Sequence, residues 1–493
     1  MVPFIALHLD RRARAGLQRQ LYDELRAAIL GGRLAPGARL PATRVLADDL
    51  AVSRNTVTGA FDQLLAEGYL EGRVGSGTYV ARTLPEDLLR VRSGARPAAS
   101  PARVPPRLSR RGKLLVSIPA SRRRDVVLPR AFETGLPALD EFPRELWARL
   151  ASRLLRRAPA SLLTYSDSAG FRPLRLAIAE YLQAARGVRC TADQVIVTAG
   201  SQQALDLAAR VLLDPGDTAW VEDPGYLGSR GALTAAGIRC APVPVDAEGL
   251  QVETGVRLVP AARMACVTPS HQYPLGVTMS LPRRMALLAW ARQRRAWIVE
   301  DDYDSEFRYA GRPLAALQGL DPAGRVIYTG SFSKVLYPSI RLGYLVVPDG
   351  VVDAFLAARA LADRQSPGLE QALVAEFIAA GHFSRHLRRM RGIYAERQQI
   401  LTAAAQRDLQ GALELTGGEA GMHMVGWLAA PASDRGVSER AAALGIKATP
   451  LSTYAIRARI RPGLMLGYAA LPERQIREGV RALAAVLEKR STT

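Results

Sequence analysis

Lys334 stands in a segment whose residue types could hold a reactive amine. The segment 329–334 reads Thr-Gly-Ser-Phe-Ser-Lys, it follows the apolar run 326–328, and Arg341 comes shortly after it. A lysine amine can form a Schiff base with a carbonyl compound, and hydroxyl and guanidinium groups can hold a phosphate. The chain has four lysines, namely Lys113, Lys334, Lys447 and Lys489. In so lysine-poor a chain, this placement predicts a Schiff-base lysine rather than a surface lysine.

Two further segments place polar groups where apolar strands end. Residues 300–304, Glu-Asp-Asp-Tyr-Asp, follow the apolar run 297–299, and residues 198–203, Thr-Ala-Gly-Ser-Gln-Gln, form a glycine-containing turn ahead of a helical pattern. A carboxylate after a strand can keep a pyridine nitrogen protonated, which makes pyridoxal phosphate an electron sink. The N–H groups at a helix start favour a phosphate. By itself the acidic cluster fits a metal site or a solvated loop equally well, and the glycine turn is a weak signal.

These three segments need a scaffold that brings them together. From about residue 126 onward, short apolar strands alternate with helical patterns, for example 195–198 ahead of a helix over 202–213. This alternation predicts an open, mostly parallel α/β sheet. Ligands of such sheets bind at the carboxyl ends of the strands. We therefore expect the three segments to meet at one edge of the sheet.

A different pattern fills the first 81 residues. Helical periodicity over 16–31 is followed by predicted helices over 44–50 and from about 53 to 67, where Thr43 or a neighbour and Ser53 would be the N-caps. Two short strands with glycines between them then form a hairpin. Three helices and a hairpin predict a winged helix-turn-helix, with a plain three-helix bundle as the alternative. A recognition helix of this kind contacts the major groove with its N-terminal residues.

The same segment resembles the GntR family of DNA-binding domains. The resemblance lies in Leu-Pro-Ala-Thr-Arg (40–44), Val-Ser-Arg-Asn-Thr-Val (52–57), Glu-Gly-Tyr-Leu (67–70) and Gly-Ser-Gly-Thr-Tyr-Val (75–80). It implies that the second helix, the polar start of the third helix and the wing glycine contact DNA. The implied DNA-binding residues are Arg44, Ser53, Arg54, Asn55, Thr56 and Gly75.

The stretch 82–125 is basic and rich in proline. It carries twelve basic and three acidic residues, whereas residues 1–81 carry ten and eight, so much of the formal charge of +20 is concentrated there. Proline density and weak apolar periodicity predict a semi-extended linker between domains 1–81 and 126–493. Arg107, Arg110, Arg111 and Lys113 could contact DNA phosphates, and a solvated spacer is an equally good interpretation.

Residues 126–490 resemble fold-type I aminotransferases, which bind pyridoxal 5'-phosphate. The resemblance makes Lys334 the Schiff-base lysine, Asp301 the partner of the pyridine nitrogen, Tyr303 the partner of the phenolic oxygen and Tyr226 the residue stacked on the ring. Tyr165 matches a tyrosine that reaches into the partner subunit's site, which implies a homodimer. The implied phosphate ligands are Ser201, Gln202, Ser331, Ser333 and Arg341.

A GntR reader ahead of such a domain is the arrangement of the MocR family of bacterial regulators. Further matches are Thr-Pro-Ser-His-Gln-Tyr-Pro (268–274) and Gly-His-Phe-Ser-Arg-His (381–386). The resemblance implies a multidomain protein, a winged helix-turn-helix joined to an α/β fold-type I transferase-like domain with a small C-terminal α+β subdomain.

Two positions depart from a working aminotransferase. Tyr273 replaces the usual Asn before Pro-x-Gly, and Met465 replaces the Arg that binds a substrate carboxylate. Losing a bidentate guanidinium removes charge-assisted binding and orientation. Arg457, Arg459 or Arg461 could substitute from nearby. The departures favour a sensor that binds promoter DNA and responds to pyridoxal phosphate, an amino acid or an amine, with weak transamination at most. An aminotransferase that also represses its own operon, and a regulator with an empty vestigial domain, are the alternatives.

Composition excludes several other classes. The 493 residues predict two or three domains, and 48% hydrophobic with 23% charged residues is typical of globular proteins. Without a signal-like N-terminus or an apolar run of about 20 residues, we expect a cytoplasmic protein with no membrane span. Three scattered cysteines argue against a disulfide framework. His382 and His386 lie four apart but lack a third ligand, so no metal site is predicted.

Overall fold

The computed structural model describes residues 7–11, 13, 15–73, 76–85, 107–118, 129–309, 311 and 314–488. The chain divides into two compact units, Met1–Pro106 and Arg107–Thr493. Each unit has its own hydrophobic core. Within the described ranges, no helix combines the length and the apolar character needed to span a membrane.

The first unit contains three helices around one core. They are α1 (Leu17–Leu30), α2 (Thr43–Asp49) and α3 (Arg54–Ala66). The apolar stripe of α1 packs against α3, so that Leu25 and Phe61 are both buried. The three helices lie within one or two residues of the predicted boundaries.

The caps of these helices follow the prediction in one case and not in the other. Ser53 precedes α3, and its Oγ accepts a hydrogen bond from the backbone N–H of Thr56 at 3.1 Å. Thr43 is instead the first residue of α2, whose N-cap Ala42 has no side chain able to accept a hydrogen bond. The predicted cap at Thr43 is therefore wrong, and α2 begins one residue earlier than expected.

The wing is an antiparallel hairpin of β1 (Leu70–Arg73) and β2 (Gly77–Val80). Leu70 lies opposite Val80, and both are buried against the helices. The Arg73 guanidinium lies 4.6 Å from the centre of the Tyr79 ring. Three helices followed by this hairpin make a winged helix-turn-helix, as predicted.

The second unit is a layered α/β structure. Its helices are α4 (Arg110–Ser117), α5 (Arg144–Arg157), α6 (Arg172–Arg186), α7 (Ser201–Leu212), α8 (Leu227–Ala235), α9 (Val252–Leu258), α10 (Leu281–Arg294), α11 (Leu317–Leu320), α12 (Val352–Asp363), α13 (Gly368–Ala379), α14 (His382–Asp408), α15 (Asp434–Ala443) and α16 (Glu473–Glu488). Its strands are β3 (Val195–Thr198), β4 (Thr218–Asp223), β5 (Arg239–Asp246), β6 (Gly249–Leu250), β7 (Met264–Val267), β8 (Trp297–Asp302), β9 (Val326–Ser331), β10 (Gly343–Val346), β11 (Leu413–Thr416), β12 (His423–Leu428), β13 (Thr449–Pro450) and β14 (Gly463–Gly467).

The main sheet has eight strands in the order β3-β10-β9-β8-β7-β4-β5-β6. Strands β9, β8, β7, β4 and β5 are parallel, while β10 runs antiparallel to both of its neighbours. Strand β3 therefore runs in the same direction as the parallel set. Strands such as β3 and β7 are buried at every residue, as expected where helices cover both faces of a sheet. The predicted mostly parallel α/β sheet is confirmed.

A smaller sheet closes the second unit. Its order is β11-β12-β14-β13, and every pairing is antiparallel. Helices α14 and α16 pack on each other beside it. This is the small C-terminal α+β subdomain that the resemblance implied.

Helix α4 lies inside the segment that was predicted to be a semi-extended linker. Ser109 caps it, with Oγ accepting from the N–H of Gly112 at 3.0 Å. The helix packs against α8. The prediction of an extended chain is wrong here, because prolines bracket a window too short to display a helical repeat in the sequence.

A buried ion pair supports the end of β8. The Nε of Arg186 donates a hydrogen bond to Asp302 Oδ2 at 2.9 Å, and its Nη2 donates one to Ser270 Oγ at 2.8 Å. The hydroxyl of Tyr328 donates to the same carboxylate oxygen at 2.6 Å. Asp302 is 5% exposed and follows Asp301 directly. The pair therefore fixes the backbone at the point where the predicted pyridine-nitrogen partner emerges from the sheet.

Replacing Arg186 by methionine should lower the free energy of unfolding by about 3 to 5 kcal/mol, because the Asp302 charge stays buried without its partner. Denaturant unfolding followed by circular dichroism measures the difference. The control Arg474→Met removes the exposed partner of Glu478 and should change stability little. Equal losses in both variants would contradict a special role for the buried pair.

Candidate functional site

A cavity of about 650 Å³ opens at the carboxyl ends of the parallel strands. Residues that follow β3, β4, β7, β8 and β9 all reach it, because parallel strands end at the same edge of the sheet. The cavity is lined by every residue predicted to hold the cofactor within one chain, namely Ser201, Gln202, Tyr226, Asp301, Tyr303, Ser331, Ser333, Lys334 and Arg341.

Lys334 follows β9 and points into this cavity. Its Nζ donates a hydrogen bond to the carbonyl oxygen of Gly135 at 2.8 Å. Gly135 has a φ of 75°, and a Cβ there would lie 2.8 Å from Nζ. The glycine is therefore required for the amine to sit where it does. Sequence reasoning missed Gly135, because nothing local links the turn at 133–136 to a lysine two hundred residues later.

Asp301 provides a buried carboxylate on the neighbouring strand. Its Oδ1 has no hydrogen-bond partner among the described residues. Burial and the adjacent Asp302 raise the pKa of Asp301 to about 7, while Lys334 acts in the opposite direction. A buried acceptor without a donor is costly. A ligand with a protonated ring nitrogen would satisfy it, so this position fits a pyridinium.

The other end of the cavity has the chemistry of a phosphate site. Helix α7 starts at Ser201, after Gly200 with a φ of 112°. The Arg341 guanidinium lies beside Gly200, and a Cβ on that glycine would be 3.6 Å from Nη2. Ser331 is the last residue of β9 and Ser333 lies on the loop after it, where the Ser333 N–H donates to Ser331 Oγ at 3.2 Å. Helix-start N–H groups, hydroxyls and a guanidinium are suitable donors for a phosphate.

Aromatic rings form one wall of the cavity. The Tyr226 and Tyr273 rings meet edge to face at 5.5 Å, and Tyr273 and Tyr454 do so at 5.2 Å. The hydroxyls of Tyr273 and Tyr454 are 3.0 Å apart. Tyr273, the residue that replaces the usual asparagine, is therefore part of this wall. Tyr454 belongs to the C-terminal subdomain and was not predicted.

Tyr303 is connected to a buried histidine and carboxylate. Its hydroxyl lies 2.9 Å from Nδ1 of His271, and the same Nδ1 lies 3.1 Å from both oxygens of Asp304. Burial raises the pKa of the Tyr303 phenol. Nδ1 can carry only one proton, so it either donates to Asp304 or accepts from the Tyr303 hydroxyl. This choice sets where the Tyr303 proton points. Sequence reasoning included Tyr303 but missed His271 and Asp304.

His423 completes a cluster of donor atoms with His271 and Asp304. The candidate ligand atoms all lie within 4.8 Å of one another. The Nε2 of His423 lies 3.1 Å from the carbonyl oxygen of Pro274. This nitrogen is therefore occupied as the donor of a hydrogen bond. Burial and His271 lower the pKa of His423 to about 3. The cluster is thus a hydrogen-bonded support for the cavity wall.

A carboxylate joins the two subdomains next to the cavity. Asp223, at the end of β4, accepts backbone N–H bonds from Ile456, Arg457 and Ala458 at 2.7 to 2.8 Å. Gly225 N–H also donates to the carbonyl of Tyr454 at 3.2 Å. These bonds hold the Tyr454 loop against the turn that carries Tyr226.

Met465 lies behind the cavity rather than in it. The side chain is fully buried with Val425, Leu451 and Tyr454. Arg461, one of the suggested substitutes, binds Glu414 at 2.7 Å, and neither Arg457 nor Arg459 lines the cavity. The predicted substitution by a nearby arginine is wrong. The lining instead includes Arg130 and Lys447. The sequence analysis did not predict a role for Arg130, and it named Lys447 only as one of the four lysines.

Tyr165 stands apart from the cavity of its own chain. It is 80% exposed, and Arg364 lies 5.4 Å from its ring centre. His382 and His386, the two histidines four residues apart, have different partners. His386 is buried with Nε2 facing the carbonyl of Val335 at 2.9 Å, whereas His382 contacts Arg385.

The predicted DNA-contacting side chains lie on the surface of the first unit. Arg44, Ser53, Arg54 and Asn55 are exposed, and Thr56 is half-buried with its hydroxyl 2.9 Å from that of Ser53. Gly75 falls outside the described residues. The start of α3 therefore presents polar groups in the manner expected of a recognition helix.

Comparison with known proteins covers both units. Residues 17–80 match the family Bacterial regulatory proteins, gntR family, and residues 138–483 match Aminotransferase class I and II. The chain is 44% identical over 479 residues to the probable rhizopine catabolism regulatory protein MocR of Rhizobium meliloti, which covers 97% of this chain and 95% of that protein.

Solved aminotransferases share the fold of the second unit. LysN, the alpha-aminoadipate aminotransferase of Thermus thermophilus complexed with N-(5'-phosphopyridoxyl)-L-leucine, is similar with a TM-score of 0.67 and 33% identity over 73% of this chain and 92% of that one. The Pyrococcus horikoshii kynurenine aminotransferase, in complex with PMP, has a TM-score of 0.69 and 28% identity, covering 80% of this chain and 98% of that one.

Asp301→Asn should alter how stability of the cofactor-free protein depends on pH. A raised carboxyl pKa stabilises the fold below about pH 4, and that contribution is lost as pH rises to about 7. The variant lacks this loss, so its stability relative to wild type should increase between pH 5 and 7, by up to about 3 kcal/mol. Denaturant unfolding across that range measures it. Glu222 and Glu300, whose pKa burial also raises to about 7, remain in both proteins and cancel in the difference. A constant difference across pH would contradict the assignment.

Proposed function

The chain belongs to the MocR family of GntR-type transcriptional regulators, and on that basis we propose that it binds promoter DNA and senses an amino compound through pyridoxal 5'-phosphate. The observation that carries this proposal is a cavity that holds Lys334 and the unpartnered Asp301 but has Met465, not arginine, on β14. Such a site can hold the cofactor while binding a substrate carboxylate poorly for turnover.

The lining residues divide into groups that suit the parts of the cofactor. Lys334 would bind its carbonyl carbon, and Asp301 would hold a proton on the pyridine nitrogen. Tyr303 would donate to the phenolic oxygen, with its proton positioned by His271, and Tyr226 would pack on the ring. The phosphate would be bound by Ser201, Gln202, Ser331, Ser333 and Arg341. The bound cofactor supplies an electrophile that reacts reversibly with amines.

The first unit would carry the DNA contacts. Arg54 and Asn55 at the exposed start of α3 can reach base edges, and Arg44 on α2 can reach a phosphate. By the resemblance to the GntR family, Gly75 would also contact DNA. In the second unit, the exposed Arg110 and Lys113 of α4 could either contact phosphates or remain solvated.

A homodimer with composite sites accounts for Tyr165. The side chain is 80% exposed in one chain, close in sequence to Leu163, which is also exposed, so the two form an apolar surface that a partner could cover. In a dimer the partner subunit's Tyr165 would complete the phosphate end of the cavity. A two-fold symmetric dimer would also present two DNA-reading units to one operator.

Ligand chemistry at Lys334 would act on DNA binding only if the ligand binds two arrangements of the dimer with different affinity. Promoter binding with and without cofactor and amines tests this coupling. Identical affinity and footprint under all conditions would remove the sensing role. A true aminotransferase that also regulates is the second candidate, favoured by the intact Lys334 and Asp301 pair. Sustained turnover of amino acids with 2-oxoacids would support that candidate instead.

Lys334→Ala should abolish the visible absorption band that wild-type protein shows after incubation with pyridoxal phosphate, because the other lysine of the cavity lining, Lys447, is exposed at its mouth. Absorption spectra of desalted proteins measure it, and Arg474→Ala on the far helix α16 serves as the control. A band that persists in Lys334→Ala would mean that another amine holds the cofactor.

Arg54→Ala should weaken binding to the promoter next to its own gene about tenfold or more, since it removes a cation from the start of the recognition helix. The cofactor absorption band should stay unchanged. Gel-shift titrations at two salt concentrations provide the measurement, with Arg19→Ala on α1 as a charge-matched control. Equal affinity of both variants would place the DNA surface elsewhere.

A further inference from the structure

We propose that Arg130 and Lys447 form an anion subsite at the mouth of the cavity, which binds the acidic group of the effector in place of the arginine absent from β14. The effector is then an amine that also carries a carboxylate or a sulfonate. This inference rests on the proposed function, because it concerns the ligand of the same cavity.

The two cations are brought together by the backbone. The N–H of Lys447 donates to the carbonyl of Ala131 at 2.9 Å, so the residue after Arg130 is bonded to the segment that carries Lys447. Both side chains line the cavity and are exposed to solvent at its mouth. Neither side chain makes a hydrogen bond or an ion pair with any part of the chain that the structure describes. They are therefore available to a ligand.

Their position compensates for the residue lost from β14. Met465 pairs in register with Thr449 of β13, and Thr449 lines the cavity. Lys447 lies just before β13, the strand that pairs with β14 at Met465. A cation thus stands at the start of the neighbouring strand instead of on β14, while the Met465 side chain fills the space behind the Tyr454 ring.

Charge in the cavity favours an anionic group at this end. Lys334 and Arg341 would be used to bind the cofactor, Asp301 would hold its ring nitrogen, and Asp304 is hydrogen-bonded to His271. Of the remaining charged lining residues, Arg130 and Lys447 are positive and Glu133 is negative. Because the two cations are exposed, their attraction for a ligand is screened by salt, and the expected contribution is moderate.

A matched series of ligands separates the acidic group from the amine. The probes are glycine, β-alanine, 4-aminobutanoate and taurine, each compared with an n-alkylamine of the same length. Full-length protein loaded with pyridoxal phosphate is titrated with each probe, and the change in the visible spectrum gives an apparent dissociation constant. Wild type should bind at least one acid about ten times more tightly than its amine counterpart, and raised salt should reduce that preference.

The variants Lys447→Gln and Arg130→Gln should each lower the acid preference about threefold to tenfold, and the double variant should bring it close to one. Affinity for the n-alkylamines should not change, because their amine would react with the carbonyl carbon of the cofactor and they carry no acidic group for Arg130 or Lys447 to bind. Arg474→Gln removes an exposed cation of α16 outside the cavity lining and should behave as wild type. A purely structural role of Lys447 would instead weaken acids and amines equally.

The outcomes separate this inference from the proposed function. Equal affinity for acids and amines in wild type, or a preference that survives in the double variant, overturns the subsite while the cofactor assignment stands. Absence of any cofactor band overturns the proposed function instead. The subsite is then judged on cofactor-free protein, where propanoate at constant ionic strength should raise the melting temperature of wild type but not that of the double variant.

Discussion

The free-energy cost of burying the Asp301 carboxylate without a hydrogen-bond partner among the described residues is the constraint on which the rest of the site depends. Asp301 lies one residue before the end of β8, its Oδ1 has no partner among the described residues, and charging it inside the protein is costly. Hydrogen bonds hold the residues on either side of Asp301 in place. Asp302 is held by Arg186 and Tyr328, and Glu300 accepts backbone N–H bonds from residues 317 and 318. Asp301, whose Oδ1 has no partner among the described residues, lines the same cavity as Lys334.

The cavity depends equally on contacts between the two sheets of the second unit. Asp223 at the end of β4 binds three consecutive N–H groups of the C-terminal subdomain, and the Gly225 N–H donates to the carbonyl of Tyr454 at 3.2 Å. These bonds place Tyr454 beside Tyr226 and Tyr273. Residues of both subdomains therefore line the cavity.

Met465 stands on β14 at the position where the resemblance to aminotransferases places an arginine. The methionine is fully buried, so the space behind the wall is filled by an apolar side chain. Under the proposed function, exposed cations would bind the acidic group of a ligand more weakly than a buried arginine would, which suits reversible recognition better than orientation for proton transfer. Helix α4 packs on α8, which starts directly after Tyr226.

Local sequence patterns determined the elements and most of the residues of the site. Apolar periodicity marked the three helices of the first unit, and the Ser53 cap follows from one side chain and a backbone N–H three residues away. Lys334, Asp301 and Ser201 were identifiable because each lies at or just after the end of its own strand, and parallel strands must end together. What the tertiary structure decided is which distant residues complete these groups.

Gly135 meets Lys334, His271 and Asp304 meet Tyr303, and Lys447 stands beside Arg130 only after the chain has folded. No repeat or spacing encodes such pairs, since they are set by the packing of segments separated by tens to hundreds of residues. The departure at Met465 was readable in the sequence, but the residues that replace the lost cation were not. Their proximity comes from one backbone hydrogen bond between Lys447 and Ala131.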